Sequence, residues 1–269
     1  MTDPDGKKSG ADQQQKQTNP GATRIAVLGY GTEARDRAVR LRHAGCDVSV
    51  SMRPGGLSWV RANADKFAPA PADEAVASAE VVVLLVPDEE QPAVYWRSVA
   101  PHITPGSLLV VERGHALYLG MLEPKSDVDV VLVTTAASGT SERPGCRVAV
   151  YRDATGRALE RAIAYARAAF PEAKVSLGTT TVSDEVEADL AAREARAGGH
   201  DAFVAELDQI LVRGGAHEPD EAKLSFYERL RACVATRQPT AESGRAITAA
   251  PASATDVAVR YWTQMRGVA

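Results

Sequence analysis

The sequence predicts an α/β protein in which a parallel β-sheet comes first and helices follow. Three observations support this fold class. Short apolar runs rich in β-branched residues alternate with amphipathic stretches over the first two thirds of the chain, as in βαβ units. One of these runs ends in a glycine-rich turn that opens the next helix. The strand signal then stops near Asp184, and only helical periodicity follows.

The elements of the sheet are expected between residues 24 and 183. A polar tail, residues 1–23, precedes them, and we predict it to be disordered because it has no hydrophobic period. The predicted strands are residues 25–28, 47–52, 80–86, 108–112, 128–133, 147–151 and 175–177. The predicted helices between them are residues 33–44, 58–67, 92–100 and 155–170. This alternation favours one parallel sheet with right-handed crossovers.

The remaining residues, 184–269, are predicted to form an all-α domain. Residues 201–212 place apolar side chains on one helical face, namely Phe203, Val204, Leu207, Ile210 and Leu211. Residues 219–235 repeat the pattern with Ala222, Phe226, Leu230 and Cys233. Such a stripe either joins the core of its own chain, which is the commoner use, or packs against a second copy.

Composition excludes several classes of function. The 269 residues include 31 Lys and Arg against 35 Asp and Glu, so the chain lacks the basic surplus of a general nucleic-acid binder. The three cysteines, which are far apart and form no CxxC pair, indicate neither a disulfide framework nor a zinc site. The longest apolar run, residues 81–86, is far below the ~20 residues of a membrane span. We therefore expect a cytoplasmic protein with a small-molecule substrate and with no nucleic-acid or membrane partner.

The turn after the first strand has the pattern of a dinucleotide-binding loop. Residues 29–34, GYGTEA, fit G-x-G-x-x-A between a strand and a helix. Gly29 permits the tight turn, Gly31 lets the backbone approach a pyrophosphate, and Ala34 keeps the helix close to the strand. The helix N-terminus offers free N–H groups to phosphate. The pattern predicts a Rossmann-type cofactor domain, and the alternative is a tight turn without a ligand.

The end of the second strand indicates which nicotinamide cofactor is bound. An NAD site usually has an Asp or Glu there, about 20 residues after the glycines, to hold the ribose 2′-hydroxyl. In this chain the position falls at Met52 and Arg53, and no carboxylate lies on that turn. Arg53 can pair with a 2′-phosphate and Ser58 can add a hydroxyl donor. We therefore predict NADP(H); the alternative interpretation of Arg53 is a solvated turn residue.

From Ile25 to about Ala195 the chain resembles the ketol-acid reductoisomerase family, also called acetohydroxyacid isomeroreductases. The resemblance rests on residues 25–31 (IAVLGYG), 52–59 (MRPGGLSW), 85–92 (LVPDEEQP) and 179–190 (TTTVSDEVEADL). It implies NADP(H) as cofactor and a homodimer formed through the helical domain, which is short for the family. Together with the glycine pattern, it implies a cofactor site made of Gly29, Tyr30, Gly31, Thr32, Glu33, Arg53, Ser58, Pro87, Asp88, Gln91, Gly114 and Gly139.

The residues that would catalyse the family's reaction are mostly replaced. The resemblance implies two magnesium ions on carboxylates of the helical domain, a Lys near the substrate and a His-Gly pair after a strand. Asp189 matches the first metal ligand, but Arg193 stands at the second and Arg113 at the histidine. The lysine position is Ala136, and the two later glutamate positions are Ser225 and Arg229, or Glu228 and Ala232 if the alignment moves by three residues. Magnesium needs several oxygen ligands, so we expect no metal site and no reductoisomerase activity.

Hydride transfer itself requires a bound nicotinamide, a positioned electrophile and a proton donor, but no metal. His115, directly after Gly114, is the candidate general acid because its pKa is naturally near neutrality. Arg113 can orient a substrate carboxylate or phosphate, and Asp189 can relay protons. The alternatives are an ordinary loop histidine, an ion-paired arginine and a remnant of the metal site. Further hydroxyl donors near this edge are Tyr118, Thr134 and Thr135.

Two functions from different classes remain open. The first is an NADPH-dependent oxidoreductase that reduces a small imine or carbonyl compound without metal and without alkyl migration. The second is a non-catalytic NADP(H)-binding relative that acts as a regulatory or assembly subunit. The glycine loop and Arg53 agree with both functions. The candidate acid His115 makes the reductase our preferred prediction.

Overall fold

The structure, a computed structural model, describes residues 21–135, 145–172, 174–176, 180–215 and 221–236. Within this part of the chain, a seven-stranded sheet has the order β2-β1-β3-β4-β5-β6-β7. The strands are β1 Arg24–Leu28, β2 Asp47–Ser51, β3 Val81–Leu84, β4 Leu108–Val111, β5 Asp129–Thr135, β6 Gly145–Arg152 and β7 Lys174–Ser176. The helices are α1 Thr32–His43, α2 Leu57–Ala64, α3 Ala72–Ala77, α4 Gln91–Val94, α5 His115–Tyr118, α6 Ala158–Ala169, α7 Val182–Ala197, α8 His200–Gly215 and α9 Glu221–Thr236.

The prediction of a wholly parallel sheet is correct for five strands and wrong for one pair. Strands β2, β1, β3, β4 and β5 run parallel to one another. Strand β6 runs antiparallel to β5, and β7 is parallel to β6. Only residues 136–144 separate β5 from β6. A parallel connection needs a crossover of a dozen or more residues, so the chain turns back instead.

The central strands are buried on both faces, as their continuous apolar runs predict. All four residues of β3 and of β4 are buried. Because successive strand residues point to opposite faces, Val83 and Leu84 enter two different cores. One core lies under α1, α2 and α6, and the other lies under α3, α5 and α7–α9. Because helices cover both faces of the sheet, the loops at the ends of the strands are the places that stay open to ligands, as in other folds of this kind.

The C-terminal helices share a core with one face of the sheet. Phe203 and Leu207 of α8, together with Phe226 of α9, belong to the same buried cluster as Leu84 of β3. Phe203 is 5% exposed and Leu207 is 2% exposed in the single chain. The predicted apolar stripe of α8 therefore packs within its own chain. The boundary near residue 183 stays a prediction.

Short helices are the elements that the sequence analysis did not predict. Helices α3 and α5 have six and four residues, too few to show a helical period. The helix expected at residues 92–100 is α4 followed by a π-helical turn, Tyr95–Val99. Residues 1–20 of the predicted disordered tail, residues 1–23, lie outside the described residues, and the disorder of the tail stays a prediction. None of the helices in the described ranges is both long and apolar enough to cross a membrane.

Candidate cofactor and active site

Three adjoining cavities follow the carboxyl ends of β1, β3 and β4. The large cavity, about 850 Å³, lies between the glycine turn, the loop after β2 and the segment after β3. The middle cavity, about 330 Å³, shares Gly31 and residues 85–87 with it. The third cavity, about 650 Å³, is called the arginine cavity after the five arginines that line it, Arg37, Arg113, Arg147, Arg193 and Arg196. It shares Glu33, Glu112 and Arg113 with the middle cavity and is completed by α7. The three cavities form one groove across the edge of the sheet.

The glycine turn fits a bound dinucleotide. Gly29 has φ of +105°, and a Cβ atom there would lie 2.5 Å from the carbonyl oxygen of Leu85. A side chain at Gly31 would meet no atom within 4 Å, so this side of the loop is open. Gly31 is also the N-cap of α1 and supplies no side-chain hydrogen bond. The first N–H groups of α1 are therefore available to a phosphate, and the buried Ala34 brings α1 against the sheet as predicted.

Tyr30 lines the large cavity, and its hydroxyl is engaged elsewhere. The side chain is buried, and its hydroxyl donates a hydrogen bond of 2.8 Å to Asp65 Oδ2 at the end of α2. Its ring packs edge-on against Phe67. Burial, followed by the nearby Asp65 carboxylate, raises the pKa of Tyr30 well above its usual value. Tyr30 thus fixes the wall of the cavity and ties the glycine turn to α2.

The large cavity has a cationic end. Arg53 and Ser58 both line it, and the side chain of Arg53 forms no ion pair with another described residue. Arg97 and Ser98, which the sequence analysis missed, line the same cavity from the π-helical turn. Lys223 of α9 also reaches this cavity and pairs with Glu90 at 2.8 Å. The helical part of the chain therefore contributes to the wall of the cofactor cavity.

Glu33 and Arg113 form an ion pair beside the middle cavity. Arg113 Nη2 lies 3.3 Å from Glu33 Oε2, and both side chains are about half exposed. A carboxylate near the phosphate-binding turn opposes an anionic ligand, and the guanidinium offsets that charge. Arg113 is therefore ion-paired, as the alternative interpretation has it, while it still lines the arginine cavity.

His115 is buried between two carboxylates. Its Nδ1 lies 3.3 Å from Asp88 Oδ2, and its Nε2 lies 3.3 Å from Asp189 Oδ2. The residue is 3% exposed, and neither ring nitrogen has an aligned hydrogen bond within the described residues. Burial lowers the pKa of His115, but the carboxylates of Asp189 and Asp88 raise it by more, so the net shift is upward.

Asp189 connects His115 to the arginine cavity. Its side chain is 43% exposed, and its Oδ2 accepts a hydrogen bond of 2.7 Å from Arg193 Nε one turn later on α7. Partial burial raises the pKa of Asp189, but His115 and Arg193 lower it by more, so this carboxyl is ionised at neutral pH. The predicted acid, the predicted relay and the open cavity are therefore in contact.

The comparisons with known proteins are decisive about the family. Residues 21–171, more than half of the chain, match the NADPH-binding domain of acetohydroxy acid isomeroreductases. The chain belongs to the ketol-acid reductoisomerase family. The family, the α/β fold class and the NADPH-binding domain predicted from the sequence are confirmed.

Two curated relatives are ketol-acid reductoisomerases (NADP(+)) from Xanthomonas. The protein of X. axonopodis pv. citri (strain 306) is 35% identical over 216 residues, which cover 77% of this chain and 63% of the relative. That of X. oryzae pv. oryzae (strain MAFF 311018) is 34% identical over 222 residues, covering 79% and 65%. The chain thus spans slightly less than two thirds of the length of these relatives.

Solved structures show the same fold. An NADH-preferring ketol-acid reductoisomerase from an uncultured archean superimposes with a TM-score of 0.58 at 29% identity, covering 78% of this chain and 67% of that one. A semialdehyde dehydrogenase NAD-binding protein from Cupriavidus necator gives a TM-score of 0.53 at 17% identity, with 90% of each chain covered. The second likeness concerns the fold alone.

The remaining cofactor residues predicted for this chain differ in their access to the groove. Thr32 and Pro87 line the middle cavity. Asp88 and Gln91 are buried, and Gln91 Nε2 donates a hydrogen bond of 3.3 Å to Asp88 Oδ1. Neither residue lines any of the three cavities. Gly139 lies outside the described residues. The cofactor contacts of these residues stay predictions.

Gly114 lets the turn after β4 approach α7. A Cβ atom at this position would lie 3.0 Å from side-chain atoms of both Leu132 and Val186. Its buried backbone therefore supports the close packing that carries Asp189 to His115. Two of the three candidate hydroxyl donors are already engaged, since Thr134 donates to Glu185 and Tyr118 donates to Glu187, while Thr135 lines the arginine cavity.

Glu112 is a buried carboxyl that the sequence analysis missed. It lines both the middle and the arginine cavity and accepts hydrogen bonds of 2.8 Å from Arg37 Nε and from the Tyr165 hydroxyl. Burial raises the pKa of Glu112, and the Arg37 guanidinium opposes that shift in part. The signal that would have found it is its position directly after a buried strand, at the ligand-binding edge.

The residues around Asp189 do not fit the magnesium centre that the family resemblance implies. In the described part of the chain, no group of three or more His, Cys, Asp or Glu side chains has an arrangement for holding a metal ion. Asp189 is paired with Arg193 and faces His115. Hard divalent cations need several oxygen donors, and a guanidinium repels them. We therefore derive no chemical step through a metal ion.

Proposed function

We propose that this chain is an NADPH-dependent reductase that acts on a small imine or carbonyl compound without a metal ion and without alkyl migration. One observation carries the proposal: a buried imidazole stands between two carboxylates at the end of the cofactor groove, with an arginine where the family places a metal ligand. This arrangement supports a role of His115 as proton donor and does not favour a dinuclear metal centre.

The cofactor part of the proposal rests on the charges of the large cavity. The N-terminus of α1 offers N–H groups to the diphosphate, and Arg53 with Ser58 offers a guanidinium and a hydroxyl to a 2′-phosphate. Strand β2 ends at Ser51 without a carboxylate to hold a ribose 2′-hydroxyl. These features support NADPH over NADH. When bound, NADPH supplies a hydride to the substrate.

The proton in the proposed reaction comes from His115. Because its pKa is raised, the imidazole keeps its proton to higher pH than an ordinary histidine and can give it to the oxygen or nitrogen that becomes negative on reduction. Asp88 faces Nδ1 and holds the ring with Nε2 directed at Asp189. Asp189 is open to the arginine cavity, so it connects the imidazole to solvent for reprotonation.

Alkyl migration is not expected because it depends on two metals that polarise the substrate oxygens. Arg193 stands one helical turn after Asp189 and binds its carboxylate at 2.7 Å. A single guanidinium can stabilise negative charge but cannot replace a pair of Lewis-acidic ions. Reduction of a C=O or C=N bond needs only a bound nicotinamide as hydride donor and a proton donor such as His115.

The test combines cofactor binding with turnover. Fluorescence titration of the purified protein should show tighter binding of NADPH than of NADH, and EDTA-treated protein should oxidise NADPH with members of a panel of small imines and carbonyl compounds. His115→Gln should lose turnover while it keeps NADPH binding. The matched control is His43→Gln, an exposed histidine in the last turn of α1. Turnover that requires Mg²⁺ and acetolactate would refute the proposal.

A non-catalytic NADP(H)-binding subunit is the second candidate. It is favoured by the burial of His115, whose Nε2 faces Asp189 rather than open space. Tight NADPH binding with no oxidation of NADPH by any member of the panel would select this function.

The assembly that we propose is a homodimer, as the resemblance implies. Its contact must use surfaces other than the Phe203 and Leu207 stripe, because those side chains are buried within one chain. Light scattering after size-exclusion chromatography tests the dimer. The cytoplasmic location stays a prediction.

A further inference from the structure

The arginine cavity has one arginine more than the carboxylates of its wall pair with, while His115, a further cationic group of the wall when protonated, faces Asp88 behind the wall. Its wall carries four carboxylates, and each lies within ion-pair distance of an arginine of the same wall. The pairs are Arg37 with Glu112 at 2.8 Å, Arg113 with Glu33 at 3.3 Å, Arg147 with Glu185 at 3.1 Å and Arg193 with Asp189 at 2.7 Å. Arg196 is the fifth arginine of the wall, and its side chain forms no ion pair within the described ranges.

Helix geometry directs Arg196 toward the same space as the candidate acid. Asp189, Arg193 and Arg196 follow one another at intervals of four and three residues, so they share one face of α7. Arg196 is about 10 Å beyond Asp189 along the helix axis. Side chains of a helix lean toward its N-terminus, which carries the guanidinium back toward Asp189. Ala188 and Ala192 of α7 also line this cavity, and their small side chains leave room in it.

We propose that Arg196 binds the carboxylate of the substrate, and that the substrate is a small 2-oxo or 2-imino acid whose reducible carbon faces His115. This inference rests on the reductase function proposed above. The substrate carbon gains the hydride of NADPH and forms a C–H bond. The electron pair of the C=O or C=N bond takes the proton of His115, and NADP⁺ is the oxidised product.

The charge balance selects a carboxylate among anions. One surplus guanidinium neutralises one negative charge, whereas a phosphate ester brings nearly two. The planar fork of arginine also matches both oxygens of a carboxylate. A second observation indicates a ligand in this cavity. The buried Nε2 of His115 has no aligned hydrogen bond although Asp189 lies 3.3 Å from it, so a substrate oxygen or nitrogen beside Asp189 would supply one.

Arg196 also has a purely structural interpretation that the experiment must separate. It lies in the last turn of α7, where a cation stabilises the helix end. Under that interpretation, its loss lowers the thermal unfolding temperature but leaves the affinity for small acids unchanged.

The test measures binding of 2-oxobutyrate to NADP⁺-saturated protein by titration calorimetry. Arg196→Gln should weaken this binding about tenfold, because a charge-assisted hydrogen bond to a carboxylate is lost. Arg196→Lys keeps the positive charge but not the planar fork of donors, so its affinity for 2-oxobutyrate should lie between those of the wild type and of Arg196→Gln. The matched control Arg167→Gln removes an exposed arginine of α6 that lines none of the three cavities and should leave binding unchanged. Binding of the uncharged 2-butanone should not respond to Arg196→Gln.

Several results would overturn the proposal. They are no binding of 2-oxobutyrate by the wild-type protein, equal affinity in Arg196→Gln, or tighter binding of inorganic phosphate than of 2-oxobutyrate. If Arg196→Gln does not fold, Arg196→Lys and the expected weakening of binding by added salt decide the question instead. Failure of the reductase function can be told apart from failure of the Arg196 proposal, because the former appears as absent NADPH binding or as absent turnover with the whole panel of imines and carbonyl compounds. Binding of 2-oxobutyrate is measured without turnover.

Discussion

Gly29 and Gly31 should respond in opposite ways to the same substitution, although both belong to the dinucleotide-binding turn. At Gly29 a Cβ atom would lie 2.5 Å from the Leu85 carbonyl oxygen, and the residue has φ of +105°. At Gly31 the added atom would meet nothing within 4 Å, and its φ of −70° suits any residue. Gly29→Ala should therefore damage the fold, and Gly31→Ala should damage cofactor binding.

The structure sets the size of both effects. The left-handed backbone at Gly29 costs alanine about 1–2 kcal/mol, and the overlap with backbone atoms adds about 1–3 kcal/mol. Gly29→Ala should thus lower the free energy of unfolding by about 2–5 kcal/mol. Gly31→Ala should cost about 1 kcal/mol or less, since only an N-cap position changes. Its methyl group fills the open side of the turn, so the affinity for NADPH should fall at least tenfold.

Urea unfolding and fluorescence titration with NADPH, applied to both variants, check these values. A Gly29→Ala protein as stable as the wild type would show that β1 and β3 do not approach as closely as described. A Gly31→Ala protein that binds NADPH normally would show that the cofactor diphosphate does not lie on this turn, and the assignment of the large and middle cavities would be wrong.

Three further predictions concern charges in the groove. Asp88→Asn should lower the pKa of His115, and the alkaline limb of the rate of NADPH oxidation should move to lower pH; an unchanged limb would exclude His115 as the acid. Arg53→Gln should weaken NADPH about tenfold and NADH little in fluorescence titrations, because only NADPH carries the 2′-phosphate. Glu112→Gln should lower the free energy of urea unfolding by about 2 kcal/mol, since it removes one of the two carboxylates paired with Arg37 and leaves only Asp36; no measurable change would contradict this.

Stability should depend on pH with the sign set by His115. Its pKa is raised in the folded protein, so its ion pairs stabilise the fold fully below the pKa of the unfolded chain. This contribution is lost as pH rises through the raised pKa of the folded protein. Asp88→Asn should reduce that loss, while the exposed pair of Arg157 and Glu160 provides a control, since Glu160→Gln should leave the pH dependence near neutrality unchanged.

The sequence predicts the cofactor half of the molecule well because local signals define it. The run of residues 25–28 and the glycine pattern after it place β1, the turn and α1 within a residue or two. The direction of β6 was not predicted, because an apolar run looks the same in both directions. The length of the connection, residues 136–144, indicates the antiparallel direction, because nine residues are too few for a crossover.

The active-site half depends on contacts that no local pattern shows. Asp88 follows β3 and His115 follows β4, and these adjacent parallel strands bring the two residues together across 27 positions of sequence. Arg113 stands where the resemblance implies a histidine, and the structure shows that it forms an ion pair with Glu33. Such pairs become predictable only when the order of the strands is known.

Oxidation of NADPH by EDTA-treated protein tests the central claim most directly. The absorbance of NADPH would be followed with the panel of small imines and carbonyl compounds, in the wild-type protein and in His115→Gln. We predict that at least one compound is reduced without metal and that His115→Gln abolishes this reaction while NADPH still binds. Activity that appears only with Mg²⁺ and acetolactate, and that survives His115→Gln, would contradict the account.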